Sequence, residues 1–293
     1  MPSLSHRLGA YLSLVKFSHT VFALPFALLG FFLATLDDGT LSWRKFLLVV
    51  ACMVFARSAA MGFNRYLDRH IDRKNPRTAV REIPAGTISA PAARNFVLLN
   101  GLLFAGAAAA LNPLCLYLSP IALLVILGYS YTKRFTYLCH FVLGLGLALA
   151  PIGAYLAVTA HWAVLPVLYG AVVLLWVSGF DIIYALQDEE FDRTEQLYSI
   201  PVRLGRVGAL RLGRALHLLC ALLLVGALYL QLQRHPEFGW LTGLAGLAFL
   251  LLLAYQHSLV SPTDLSRINL AFFTTNGIAS LAFGGLSILD IYL

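Results

Sequence analysis

Charged side chains are scarce in this 293-residue chain: Asp, Glu, Lys and Arg make up 12% of it, against 59% hydrophobic residues. That scarcity leaves no continuous stretch for a separate soluble domain, so residues 1–293 read as a single unit. Cysteine is equally sparse. Cys52, Cys115, Cys139 and Cys220 all fall in apolar runs without ligand spacing, which points to packing residues rather than a disulfide framework or metal site. The N-terminal stretch also lacks the pattern of a cleaved leader. His6, Arg7, Lys16 and His19 make it too polar, and the segment is too long. Nor does the net charge of +7 suggest a nucleic-acid partner, because the basic residues sit beside apolar runs and alternate with carboxylates.

What is present is length and hydrophobicity. Mean hydropathy is +0.78, and nine runs approach the ~20 apolar residues a membrane span needs. They lie near 18–36, 46–63, 95–111, 114–132, 137–158, 162–185, 209–231, 239–260 and 268–291. The fold class expected is therefore an all-α polytopic membrane protein with nine transmembrane helices. Lys and Arg placement tests that count. With nine spans, seventeen of them fall on the side holding the N-terminus and three on the other, while Arg57 lies inside a span. Such asymmetry puts the N-terminus in the cytoplasm and the C-terminus outside.

The charges that do occur are concentrated. Residues 64–86, NRYLDRHIDRKNPRTAVREIPAG, hold nine charged side chains. A second polar stretch, DIIYALQDEEFDRTEQLYSIPVRLGR, covers 181–206. The motif loops, about 64–94 and 186–208, are four spans apart and both cytoplasmic. Each stretch carries D-x-x-x-D, then a proline (Pro84, Pro201) and a glycine (Gly86, Gly205). The parallel suggests two pseudo-repeated halves facing each other across a cavity.

Residues four apart on a helix share a face. If span 2 continues as a helix, Arg57, Met61, Asn64, Asp68 and Asp72 form one stripe. Asp181, Tyr184, Asp188 and Asp192 form another at the end of span 6. Paired carboxylates suit Mg²⁺, which takes oxygen ligands and commonly bridges a few carboxylates to a substrate phosphate. The arginines between them suit the same anion, since guanidinium forks match phosphate oxygens. Charged membrane-flanking loops are common, and a lone D-x-x-x-D is usually a solvated face; two in equivalent loops, each extended inward, are not.

These residues resemble a known family. N64-R-Y-L-D68-R-H-I-D72 with N-P-R77-T-A-V-R81-E-I-P84-A-G86 is similar to the first signature of the UbiA superfamily of intramembrane prenyltransferases. D181-I-I-Y184-A-L-Q-D188-E-E-F-D192 is similar to the second, and Y129-S-Y-T-K133-R134 to the family's tyrosine and basic pair. The resemblance extends over nearly the whole chain. It implies a helical bundle around a central cavity and Mg²⁺-assisted transfer of a polyprenyl chain from polyprenyl diphosphate to an aromatic acid acceptor. The setting implied is the lipid bilayer, a bacterial cytoplasmic membrane, with the active site open to the cytoplasm. Carried over residue by residue, Asn64, Asp68, Asp72, Asp188 and Asp192 hold Mg²⁺ and diphosphate, and Arg77, Arg81, Lys133 and Arg134 bind phosphate oxygens. Within the family, K16-F-S-H19-T-V-F-A-L-P25-F-A and S199-I-P-V-R-L-G205 look like the branch that prenylates 1,4-dihydroxy-6-naphthoate on the futalosine route to menaquinone. The alternative is 4-hydroxybenzoate prenylation in ubiquinone synthesis.

The chemistry assigns further candidates. Tyr129 and Tyr184 could stabilise a carbocation through their ring faces, or serve as interfacial belt residues. Asp181, deepest on its stripe, could remove the acceptor proton, orient the acceptor, or pair with Arg57. A charge inside a span faces a cavity or a partner, so Arg57 binds an acceptor carboxylate or a phosphate, or pairs with Asp181. His19 could bond an acceptor hydroxyl or be a buried structural histidine. A transporter is the rival from another class, but its acids would lie near the bilayer midplane. A CDP-alcohol phosphotransferase would need D-G-x-x-A-R, which neither loop supplies.

Overall fold

The computed structural model describes residues 4–15 and 22–293, with side chains from residue 9 onward; among these there are helices and no strand. In chain order the helices are α1 (Leu4–Val15), α2 (Leu24–Asp38), α3 (Trp43–Lys74), α4 (Ala90–Leu111), α5 (Pro113–Thr132), α6 (Cys139–Thr159), α7 (Val164–Ala185), α8 (Glu189–Thr194), α9 (Ile200–Arg234), α10 (Trp240–Ser258) and α11 (Asn276–Asp290). A 3₁₀ turn, Leu186–Asp188, joins α7 to α8, and a π-helical turn, Leu270–Thr275, leads into α11.

Eight described helical segments are long and apolar enough to cross a membrane, and each falls on an expected span. The first expected span, 18–36, begins among residues outside the described ones. Its described part is α2, 15 residues long. The chain is thus an integral, multi-pass helical membrane protein.

Helix ends follow local chemistry. Ser42, Ser89, Asn112 and Ser199 each accept a backbone N–H from the first turn of α3, α4, α5 and α9, satisfying donors that a helix start leaves orphaned. Gly39, at φ 71°, closes α2 by donating to the Thr35 carbonyl.

Three expectations need correction. The first motif loop, expected over about 64–94, begins only at Asn75, because α3 runs unbroken to Lys74, the continuation that the stripe of Asn64, Asp68 and Asp72 requires. Its 32 residues span about 48 Å at 1.5 Å per residue, more than the ~30 Å hydrocarbon core. The helix therefore carries Asp68 and Asp72 past the apolar layer on a rigid rod. The second stripe is broken instead. α7 ends at Ala185, so Asp188 lies on the 3₁₀ turn and Asp192 on α8, not on the helix of Asp181. Residues 200–208 of that second loop are helical too, with a kink at Gly205 (φ 65°).

The bundle is packed unevenly. Phe26, Trp176, Phe249 and Phe283 form a fully buried aromatic core between α2, α7, α10 and α11, with neighbouring ring centroids 5.3–6.2 Å apart. Small residues, which could serve close packing or open a groove, divide between the two. A Cβ on Gly144 would lie 2.6 Å from the Leu174 carbonyl oxygen, and one on Gly284 2.8 Å from that of Pro25. Both keep helices in contact. Gly146, Gly153 and Ala108 instead line an apolar cavity.

Candidate active site

Four elements bring the motif residues together: the end of α3, the loop 75–89, the end of α5, and the turn from α7 into α8. The loop is held to the helix it leaves. The Thr78 hydroxyl donates to the Asp72 carbonyl oxygen at 3.0 Å, and Asn75 Oδ1 accepts the Arg77 N–H at 3.0 Å. Gly86, at φ 79°, turns the chain back toward α4 in a backbone region glycine enters without strain.

Three of the four motif carboxylates meet an arginine. Arg134 Nη2 lies 2.8 Å from Asp68 Oδ1, and Asn64 Nδ2 donates to Asp68 Oδ2 at 3.1 Å. Arg81 Nη1 is 2.7 Å from Asp72 Oδ1. Arg77 grips Asp188 with two bonds, Nη2 to Oδ2 at 2.5 Å and Nε to Oδ1 at 3.1 Å. Asn75 adds a third bond to Asp188 Oδ1 at 3.2 Å. The fourth carboxylate, Asp192, is buried, with Lys133 as the cation that acts on it most strongly. Burial alone would disfavour the charge on Arg77, but Asp188 outweighs it and holds the guanidinium above its ordinary pKa. Arg77 also reaches the Tyr184 hydroxyl at 3.4 Å and lies 5.7 Å from its ring centre. Tyr184 in turn stacks on Phe272, with ring centres 4.0 Å apart.

Below this cluster is an apolar cavity of about 480 Å³ among α3, α4, α5 and α6, reaching from Tyr129 and Arg57 to Leu111, Cys115 and Trp162. Arg57 lies seven residues before Asn64, two turns or about 10 Å down the same helix. It opens onto the cavity beside Tyr129. Its Nε is buried without a hydrogen-bond partner.

One pairing held open in the sequence is not made. Asp181 bonds His140, with Nδ1 2.7 Å from Oδ2, and not Arg57, because His140 on α6 packs directly against α7 and claims that carboxylate. The candidate tyrosines also separate: Tyr184 sits beside Asp188, Tyr129 in the cavity wall. His19 lies outside the described residues. Three polar residues of the site were not singled out by sequence: Asn75, which bridges the two motifs; His140; and Arg65, buried beside Asp72 and Arg81. Arg65 stands one residue after Asn64 in the motif itself. His140 carries no such signal, being 41 positions from its partner.

Among the described residues, no three His, Cys, Asp or Glu side chains converge on a point that could hold a bare metal ion. The donor set fits a metal that arrives on a diphosphate, since Mg²⁺ keeps several waters and uses one or two carboxylates plus phosphate oxygens. Asp72 Oδ2 is a buried oxygen without a hydrogen-bond partner, an acceptor still free for such an ion.

The chain is a helical membrane bundle with carboxylates and guanidinium groups gathered above an apolar cavity. The chain belongs to the UbiA prenyltransferase family, whose model matches residues 23–278; it is a prenyltransferase. It is 32% identical to the 4-hydroxybenzoate octaprenyltransferase of Edwardsiella ictaluri (strain 93-146), over 86% of each chain. Its fold matches the apo structure of a UbiA homolog from Aeropyrum pernix K1 with a TM-score of 0.83 and 32% identity, covering 93% of this chain and 98% of that one. A UbiA homolog from Archaeoglobus fulgidus, solved with DMAPP and Mg²⁺, shares the fold at a TM-score of 0.73 and 20% identity, covering 97% and 99%.

Proposed function

We propose that this enzyme transfers a polyprenyl chain from its diphosphate to an aromatic acid, with Mg²⁺ as cofactor. The observation that carries the reading is the closeness of two features. Motif carboxylates and cations (Asp68, Asp72, Asp188, Asp192; Arg77, Arg81, Lys133, Arg134) gather around the end of α3, and an apolar cavity of about 480 Å³ begins at Arg57, two turns below Asn64 on the same helix. The diphosphate head suits the first and the isoprenoid tail the second. The Archaeoglobus fulgidus homolog, bound to DMAPP and Mg²⁺, supports the same pairing of head group and metal.

Asn64, Asp68, Asp72, Asp188 and Asp192 would hold the metal. When bound, Mg²⁺ supplies Lewis-acid stabilisation of the departing diphosphate. Arg77, Arg81 and Arg134 exchange their carboxylate partners for phosphate oxygens, and together with Lys133 they add fixed positive charge where negative charge develops. Apolar walls keep water from the allylic cation, and the ring faces of Tyr184 and Tyr129 stabilise it. Asp181 accepts the proton lost by the acceptor ring. Arg57, a cation without a carboxylate partner among the described residues, suits the acceptor's carboxylate.

For the acceptor, the relatives support 4-hydroxybenzoate: the Edwardsiella ictaluri protein is a 4-hydroxybenzoate octaprenyltransferase. A second reading, 1,4-dihydroxy-6-naphthoate, rests on the phrases around Lys16–Pro25 and Ser199–Gly205. Both place a carboxylate on an electron-rich ring. The distribution of Lys and Arg supports nine spans with the N-terminus and the site on the cytoplasmic side of a bacterial membrane, and the spacing of the motifs supports two pseudo-repeated halves in one domain. The test is to incubate purified enzyme and Mg²⁺ with a long-chain prenyl diphosphate and each acid in parallel, following products by mass. Prenylated benzoate supports the first reading and prenylated naphthoate the second. Product from neither acid overturns both, and EDTA should abolish any activity.

A further inference from the structure

His140 is a fully engaged imidazole at the edge of the site that the family motifs do not include. It stands in the first turn of α6 and is 3% exposed. Each ring nitrogen has a partner on a different element. Nδ1 is 2.7 Å from Asp181 Oδ2 on α7, and Nε2 is 3.2 Å from the backbone nitrogen of Ile200, the first residue of α9. A backbone N–H can only donate, so Nε2 must be the bare nitrogen. The ring proton is therefore on Nδ1, directed at Asp181. Ile200 N–H is one of the donors a helix start leaves unpaired, and His140 satisfies it.

The consequence falls on Asp181. Its Oδ2 is committed to His140, while the side chain remains 23% exposed and Oδ1 has no hydrogen-bond partner among the described residues. One oxygen is anchored and the other is presented. We infer that His140 is a positioning residue for prenyl transfer, holding Asp181 so that Oδ1 faces the acceptor ring. The inference rests on the transfer reading above and adds the residue that aims its base. In the step it serves, the allylic C–O bond breaks and its electron pair leaves with diphosphate. The ring carbon bonds to the prenyl carbon, and the ring C–H proton passes to Asp181 Oδ1 and on to solvent. His140 keeps its proton throughout. Because the same imidazole caps α9, it also ties the segment following Asp192 to the helix carrying Asp181.

His140→Gln and His140→Leu separate aiming from mere filling of space. Glutamine can donate from Nε2 to Asp181 and accept from Ile200 at Oε1; leucine can do neither. With prenyl diphosphate, Mg²⁺ and the preferred aromatic acid, His140→Leu should lower kcat about 10- to 100-fold, as a misaimed catalytic group does. KM for the diphosphate should change far less than kcat, because His140 bonds Asp181 and the Ile200 backbone and none of the side chains placed on the diphosphate. His140→Gln should recover most of the rate. Combining His140→Leu with Asp181→Asn should cost no more than Asp181→Asn alone, since both act through one group. Wild-type kcat in His140→Leu, full additivity in the double variant, or an unaffected Asp181→Asn overturns the inference and leaves the transfer reading standing. Wild-type enzyme that prenylates neither acid sinks the transfer reading instead. The side-chain ¹⁵N shifts of His140 in detergent then decide the positioning: a proton on Nδ1 alone, lost as a hydrogen bond in Asp181→Asn, agrees with it, and a proton on Nε2 overturns it.

Discussion

The two sides of the bundle are built to different densities. Of the apolar stretch in Val164–Thr194, which contains α7, 61% is buried, whereas only 11% of that in α5 is. On the α7 side, large rings interlock around Trp176, whose indole N–H also donates to Asn276 Oδ1 at 2.9 Å. On the α5 side, small and aliphatic residues surround a cavity, and Leu124 points outward with 73% exposure. Lipid is as apolar as leucine, so a membrane protein gains little by packing every helix. One side can be a scaffold while the other encloses an apolar chain. The carboxylates straddle the division, with Asp68 on the cavity-lining α3 and Asp188 just beyond the packed α7.

That straddling is the sharpest thing to break. Asp68→Asn and Asp188→Asn should each lower kcat/KM by about 10²–10³, the loss typical of a positioned electrostatic group, with folding retained. Unequal losses in initial-rate measurements would mean that one side alone carries the head group. Next in size, Trp176→Ala should destabilise the fold by about 3–5 kcal/mol, read as an earlier midpoint in detergent denaturation. Filling the other side should do the reverse. Ala122→Phe, in the cavity wall, should shift that midpoint by under about 1 kcal/mol, because the ring enters open space rather than a packed core. It should slow transfer from long prenyl diphosphates more than from short ones. A competition assay with two donor lengths checks this. The smallest effect belongs to the end far from the motifs, where Tyr155 donates to Asp37 Oδ2 at 2.6 Å and His235 approaches at 3.8 Å. Asp37 is exposed there, so Asp37→Asn should cost less than about 1 kcal/mol and leave the rate unchanged.

Local patterns carried much of this molecule. Apolar runs matched eight described membrane helices, because in lipid a spanning segment must satisfy its own backbone bonds and becomes a helix whatever its neighbours. The spacing of Asn64, Asp68 and Asp72 was readable for the same reason: on a continuous helix, four residues mean one face. The second motif defeated that logic at Ala185, where the helix gives way to a 3₁₀ turn. Glycine and proline, which would have announced a break, are absent from 181–192.

Partners across the chain were another matter. Composition placed acids and bases in the same region but not which base meets which acid, and Asp181 was as open to Arg57 as to any other cation. Sequence alone determined the membrane helices and the chemistry of the motif residues, since backbone satisfaction and side-chain type are local properties. Tertiary structure alone decided that His140 meets Asp181, that Arg57 faces a cavity, and that Asn75 joins the two motifs. Each of those pairings depends on how helices far apart in the chain cross, and crossing is set by side-chain shape over the whole interface.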